Sequence, residues 1–304
     1  MIKYSKIANK NSLLQSLTGL NRAAFRDLLK GYEKILREQR EKAESERETP
    51  RQRASGGGRK AVLGTAADQM LLILFYFRHY PTQEVLGFLF GFSQAQANEW
   101  IQRLTPILNG ALGAEQHIPA REKADVKRVL AACPGLEFII DGCARPIRRP
   151  KDTQSQKQYY SGKKKRHTVK NITISEKRTK KIKALSPTVE GKKHDKTLTD
   201  EQGYAFPEGS KLWKDTGFQG YEPSGVETHQ PKKKPKGGEL TPEEKAQNQR
   251  ISQEHIGIEH SLGGVKVFRI VADVFRNLLA NFDDLCMETA CGLHNLRLNC
   301  KLTA

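Results

Sequence analysis

Phe138-Ile139-Ile140-Asp141-Gly142 is the stretch whose reading decides the fold. Three apolar residues, two of them β-branched, read as a buried strand that delivers an aspartate. The pattern recurs in Leu212-Trp213-Lys214-Asp215-Thr216-Gly217, and Ile258-Glu259-His260 sets a glutamate on what reads as a helix. A lone aspartate at a strand end is ordinary; the set of three is not. Asp141 and Asp215 become neighbours if their strands flank each other in one sheet. Gly142, Gly217 and Gly220 leave room for a phosphate backbone, although turn chemistry alone also accounts for Gly217 and Gly220. In a chain of formal charge +18, these carboxylates point to a two-metal site acting on a nucleic-acid backbone. Magnesium is held by carboxylate and water oxygens, and manganese is able to substitute.

The charge is unevenly placed. Between Arg145 and Lys196 stand 18 Lys plus Arg against 4 Asp plus Glu, a net +14. Such a field attracts a polyanion and makes binding salt-dependent. Lys163, Lys164, Lys165 and Arg166 are its densest run, and His167 follows them on a strand. A solubilising surface or a flexible basic arm is the bland alternative. The 304 residues hold one large domain or two modest ones, and 37% hydrophobic content permits a real core. No apolar run approaches the roughly 18 residues of a membrane span, and Met1 to Lys10 lacks the apolar stretch of a signal peptide. The five cysteines form no Cys-x-x-Cys pair, which speaks against structural zinc and a disulfide framework. Cys286, Cys291 and Cys300 read as small core residues in a reducing, cytoplasmic setting.

Residues 1–48 read as a helical region, with Leu13, Leu14, Leu17 and Leu20 and then Phe25 to Leu36 at helical spacing. Residues 49–64, containing Gly56-Gly57-Gly58 among basic residues, read as a linker or a basic loop near DNA. Residues 65–125 read as a compact helical unit with Thr65, Thr82 and Ser93 as caps. Gly91-Phe92-Ser93 joins the second and third helices, the helix-turn-helix spacing. In that geometry the helix after the turn enters the major groove, and Gln94, Gln96 and Asn98 are amide side chains suited to adenine. An ordinary three-helix core is the alternative. From residue 130 to 304 strands come first, with helices between and after. Leu136–Ile140, His167–Ser175, Lys181–Leu185 and Lys211–Lys214 read as strands, and Arg145–Arg149 as the start of another. Asp195–Gly203 reads as a short helix, and Thr241 caps a long one from Pro242. This order gives an α/β or α+β core. His194-Asp195 lies near the site or merely caps its helix.

Asn248-x-x-Ile251-Ser252-x-x-His255-Ile256-x-Ile258-Glu259-His260-x-Leu262-Gly263-Gly264-x-Lys266 resembles the catalytic-helix signature of bacterial insertion-sequence DDE transposases. Among these it is most similar to the insertion sequence 5 family, whose catalytic domain is similar to that of Harbinger-type elements. Glu259 and Lys266 match that signature with six residues between them. His255 stands at the family's arginine position and Ser252 at its tyrosine position. Lys214-Asp215-x-Gly217-Phe218-x-Gly220-Tyr221 and Pro231-Lys232-Lys233-Lys234-Pro235-Lys236-Gly237 extend the resemblance, which covers roughly residues 130–300. It implies a ribonuclease-H-like mixed sheet with flanking helices, preceded by an all-helical helix-turn-helix region that binds DNA. Asp141, Asp215 and Glu259 would bind two magnesium ions, and His255 and Lys266 would meet the DNA. Terminal inverted repeats and target DNA are the implied partners, with a homodimer or larger assembly on DNA at the bacterial nucleoid. His255, Glu259, Leu262 and Lys266 share one helix face. Glu254 is a rival to Glu259 some 140° around the same helix. A stand-alone metal-dependent endonuclease and a domesticated, non-catalytic DNA-binding protein are the alternatives.

Overall fold

The computed structural model describes residues 1–47, 61–234 and 238–302, without the side chains of 252–260 and 301–302. The expected linker therefore lies mostly outside the described residues, as do the last three residues of the Pro231–Gly237 block. The chain forms two compact units. The first comprises residues 1–118, 267–270 and those from Leu285 onward; the second comprises 119–266 and 271–284. Residues from Leu285 thus group with the N-terminal helices, whereas the sequence pattern assigns everything from residue 130 to one catalytic domain.

The first unit is helical: α1 (Tyr4–Ile7), α2 (Asn11–Thr18), α3 (Arg22–Ser45), α4 (Ala66–His79), α5 (Gln83–Phe90) and α6 (Gln94–Ala114). The leucine-rich N-terminal region divides at Gly19-Leu20-Asn21, where the Asn21 side chain caps α3 by accepting from the Ala24 N–H. Every residue of α4 from Gln69 to Phe77 is buried, so this helix is apolar all round and central to its unit. The three expected caps are in place. Thr65, Thr82 and Ser93 accept from the backbone N–H groups of Asp68, Val85 and Gln96. Gly91, at φ 82°, ends α5 in a left-handed turn that few other residues adopt. Ser93 and Gln96 then make a reciprocal capping box at the start of α6.

The second unit is α/β. Its elements are α7 (Lys123–Ala131), β1 (Glu137–Pro146), α8 (Thr153–Tyr159), β2 (Tyr160–Ser161), β3 (Arg166–Glu176), β4 (Ile182–Leu185), β5 (Val189–Glu190), α9 (Asp195–Gln202), β6 (Ser210–Lys214), β7 (Val226–His229) and α10 (Pro242–Lys266). Two more helices follow, α11 (Arg269–Ala272) and α12 (Phe282–Leu302). Among the described residues the sheet runs β2-β3-β1-β6-β7, with β4 and β5 also on β3. β1 pairs antiparallel with β3 and parallel with β6, and β6 pairs parallel with β7. The sheet is therefore mixed and flanked by helices, as the ribonuclease-H-like reading requires.

One face carries Phe138, Ile140, Ile172, Ile174 and Leu212 against Val126, Leu130, Leu198 and Phe218. The other carries Ile139 beside Trp213. Side chains alternate across a strand, so Asp141 projects on the Ile139 side and Gly142 on the side of α9.

Two strand expectations are corrected. β1 continues unbroken through Pro146, so Arg145–Arg149 starts no separate strand, and Asp141 sits in mid-strand. The reason is Arg145, which is only 1% exposed. It donates to Asn171 Oδ1 at 2.8 Å, Thr188 Oγ1 at 2.9 Å and the Asp283 carbonyl at 2.9 Å, so the strand carries a buried, hydrogen-bonded cation. β7 carries no strand signal of its own, because Val226–His229 is short and polar. It is held by pairing with β6 and by His229 stacking on Trp213, ring centres 4.6 Å apart.

Loss of the Ser93 cap should loosen the turn. Ser93→Ala is expected to destabilise the first unit by about 1 kcal/mol. Urea unfolding followed by Trp100 fluorescence in a Trp213→Phe background measures it.

Candidate active site

The parallel register of β1 with β6 sets Ile140 opposite Lys214. Asp141 is the next residue of β1 and Asp215 the first residue after β6, so two carboxylates stand side by side. Asp215 follows the end of β6, where its Oδ1 accepts from the Gly217 N–H at 2.7 Å and starts the helical turn Thr216–Phe218. Gln230 donates to the Asp215 carbonyl and ties this loop to the chain after β7. Lys214 is completely buried, donating to the Tyr221 carbonyl and pairing with Glu222. Asp141 Oδ1 accepts from the Gly142 N–H at 2.7 Å.

Two like charges at this spacing oppose each other's ionisation. Burial first, then the Asp215 charge, pushes the Asp141 carboxyl up to about 7; Asp195 adds to the effect, while the Gly142 N–H and Lys266 oppose it. A half-buried pair of carboxylates that repel is the donor set a hard divalent cation satisfies. Among the described residues no three His, Cys, Asp or Glu side chains close on one metal position, so the pair needs a further donor. Helix α10 runs against β1 and contains Glu259, but the side chains of Ser252, Glu254, His255 and Glu259 lie outside the described residues. Lys266, at the end of α10, is exposed and close enough to act on Asp141.

Asp195, whose sequence context allows either a helix cap or a site residue, is at the site. Its Oδ1 lies 2.8 Å from Lys170 Nζ. A Cβ at Gly142 would fall 2.7 Å from that oxygen, and one at Gly217 would fall 2.8 Å from Asp195 Oδ2. The space beside Gly142 and Gly217 is therefore taken by a carboxylate of this chain. His194, rather than Asp195, occupies the cap position of α9, and it makes no capping side-chain bond.

The remaining candidates separate. Lys163, Lys164, Lys165 and Arg166 are all exposed on the β2–β3 hairpin. Nearby, Arg149, Lys157, Lys192, Tyr160 and His167 line an open cavity of about 740 Å³. Arg145 leaves this basic surface, since its guanidinium is held inside the sheet. On α6, Gln94 and Gln96 are exposed and Asn98 is half-buried. Gln96 Oε1 accepts from the Ser93 N–H. Gln94 donates to Gln83 Oε1 at 2.5 Å, and Gln83 donates to Asn98 Oδ1 at 2.8 Å. The three amides are thus partly committed to one another and to the cap.

Comparison with known families matches the DDE superfamily endonuclease over residues 140–295. The helix-turn-helix of DDE superfamily endonucleases matches residues 62–114. The chain belongs to the DDE superfamily of endonucleases. A probable transposase for insertion sequence element IS702 from Microchaete diplosiphon is 30% identical over 236 residues, covering 77% of this chain and 81% of that relative. No solved structure matches. This DDE endonuclease thus has its helix-turn-helix match on α4 to α6 and its endonuclease match on the stretch that holds Asp141 and Asp215. Enzymes of the superfamily generally use divalent metals. Among its described residues no helix is long and apolar enough to cross a membrane.

The raised Asp141 carboxyl has a stability consequence with a definite sign. Its anion is disfavoured in the folded chain, so above about pH 7 the fold carries the full penalty. The penalty is relieved as pH falls and is gone below the ordinary carboxylate range, where folded and unfolded chains are both protonated. In EDTA, Asp141→Asn should therefore melt higher than the parent chain at about pH 8, with the gap narrowing at about pH 5. Differential scanning calorimetry at the two pH values checks this; a gap that widens on acidification would contradict it.

Proposed function

We propose that this chain is a DNA transposase that binds the terminal inverted repeats of its insertion sequence, cleaves at the ends and joins the freed 3′-hydroxyl to target DNA. The observation that carries the reading is that the parallel β1–β6 register, with Ile140 opposite Lys214, brings Asp141 beside Asp215, the first residue after β6. Asp141 and Asp215, with Glu259 from α10, would hold two magnesium ions, with manganese as a substitute. When bound, such ions supply the positive charge that stabilises the attacking and leaving oxygens of an in-line displacement.

The chain's own residues would bind and orient the DNA. Lys266 acts on Asp141 from the end of α10 and would meet a phosphate next to the cut, with His255 on the same helix face. The Lys163–Arg166 hairpin supplies sequence-independent phosphate contacts. The start of α6 supplies base contacts through Gln94, Gln96 and Asn98. Two ends have to be cut and joined together, so a homodimer or larger assembly on DNA is part of this reading. The 30% identity to a probable insertion-sequence transposase supports joining as well as cutting. A stand-alone nuclease would cut end DNA and never join it, and a non-catalytic binding protein would do neither.

Asp215→Asn is expected to reduce end cleavage by at least about a hundredfold while gel-shift affinity for end DNA stays near that of the parent chain. On α10 the signature spacing selects Glu259. Glu259→Gln should lose both cleavage and strand transfer in magnesium and in manganese, and Glu254→Gln should keep most activity. An active Glu259→Gln beside a dead Glu254→Gln would move the site by more than a third of the way around the helix.

DNA affinity should fall steeply with salt. Alanine at Lys163, Lys164 and Lys165 should weaken binding to all sequences alike and flatten the salt slope by about one for each phosphate the chain no longer neutralises. Alanine at Gln94, Gln96 and Asn98 should erase the preference for ends. Competition binding with end and random duplexes across a salt series separates the two roles, and a reversed outcome would reverse the assignment.

A further inference from the structure

We propose that Asp195 is a positioning residue of the metal site, holding through its carboxylate the water shell of the ion carried by Asp141 and Asp215. This rests on the metal-dependent reading of those two aspartates and adds a residue that the signature does not contain.

Asp195 Oδ2 and Asp215 Oδ1 each lie 2.8 Å from the point where a Gly217 Cβ would stand. The two oxygens are therefore no further apart than twice that distance, a gap a single water can bridge. On its other side Asp195 Oδ1 lies 2.7 Å from where a Gly142 Cβ would stand, on the α9 face of β1, and the Asp195 charge acts on Asp141 from there. The carboxylate thus reaches between the two segments that present the metal aspartates.

It is held there. Lys170 Nζ contacts Asp195 Oδ1 at 2.8 Å and also donates to the Lys193 carbonyl at 2.7 Å. Lys170 comes from β3, where it pairs in register with Ala144 of β1. Asp195 starts α9, whose Leu198 is locked in the sheet core. Lys170 neutralises Oδ1, while nothing among the described residues donates to Oδ2. The Lys170 pair offsets part of the repulsion that this carboxylate meets from two others.

Asp195 does not complete an inner coordination shell, since no three acidic side chains close on one point among the described residues. Magnesium nevertheless keeps several of its waters and takes only one or two protein carboxylates directly. Those waters need acceptors, and Oδ2 is an acceptor already fixed at the edge of the pair. Groups that bind a metal through such hydrogen bonds change affinity by roughly 10–100-fold when removed.

The test uses the full-length chain, stripped with EDTA and titrated with manganese, free ion being read by electron paramagnetic resonance. Asp195→Asn should bind manganese at least about tenfold more weakly with a metal-free melting temperature no lower than that of the parent chain. Gly142→Ala keeps every charge but drives a methyl group into the Asp195 position, and it should weaken manganese binding in the same way. Parent-like manganese affinity in folded Asp195→Asn, with binding lost in Asp141→Asn, would overturn the proposal and leave Lys170–Asp195 a structural ion pair. Parent-like affinity in Asp141→Asn would instead overturn the underlying metal reading.

Discussion

The parallel pairing of β1 with β6 is the constraint on which the rest of the second unit depends. It sets two backbone segments about 4.8 Å apart, and it forces the residues that follow Ile140 and Lys214 to share one small volume. Both are aspartates. Folding the chain therefore brings like charges together, an arrangement that local propensity would never select. The apolar contacts on the far face, Phe138, Ile140 and Leu212 with Leu198 and Phe218, hold the register against that repulsion. Because side chains alternate along a strand, the same register that buries Ile140 presents Asp141 to the opposite side. Slipping β6 by one residue would bury the carboxylate and expose Leu212.

The unit places its cations by the same logic. Arg145 and Lys214 are buried, one in each of the two strands that carry the aspartates. Each is matched by hydrogen bonds to side chains and carbonyls, as a buried charge requires. Among the described residues, neither head group bonds to Asp141 or Asp215. The cations that do act on the site, Lys170 and Lys266, come from β3 and α10. Lys170 is committed to Asp195, whereas Lys266 remains at the surface where an anionic backbone can reach it.

Much of this was legible in the sequence. Phe138–Gly142 and Leu212–Gly217 carry their own signal, an apolar run broken by an acid, and each cap at Thr65, Thr82, Ser93 and Thr241 is a local choice that the backbone obeys. What was not legible depended on distant partners. Arg145 reads as part of a basic surface until Asn171, Thr188 and Asp283 are seen around it. β7 has too few apolar residues to announce itself and exists because β6 offers an unpaired edge. Asp195 looks like any helix-starting aspartate, and only the pairing of β1 with β3 and β6 shows whose neighbour it is. The grouping of residues after Leu285 with the N-terminal helices is equally non-local, since nothing in a helical pattern states which core it joins.

If α6 reads DNA as proposed, Gln96 would serve recognition and helix capping at once. Gln94, Gln96 and Asn98 have the chemistry for adenine, and the helix-turn-helix supplies the setting. Gln83, one helix earlier, accepts from Gln94 and donates to Asn98. That network fixes the orientation of both amides before any DNA arrives, and it occupies one donor and one acceptor. Gln96 gives its oxygen to the cap and keeps its two N–H donors. Donors alone suit acceptor-rich base edges, so in the proposed complex the free groups of Gln96 would favour a purine N7 or a guanine O6. On that reading the capping box that begins the helix would also narrow what the helix can read.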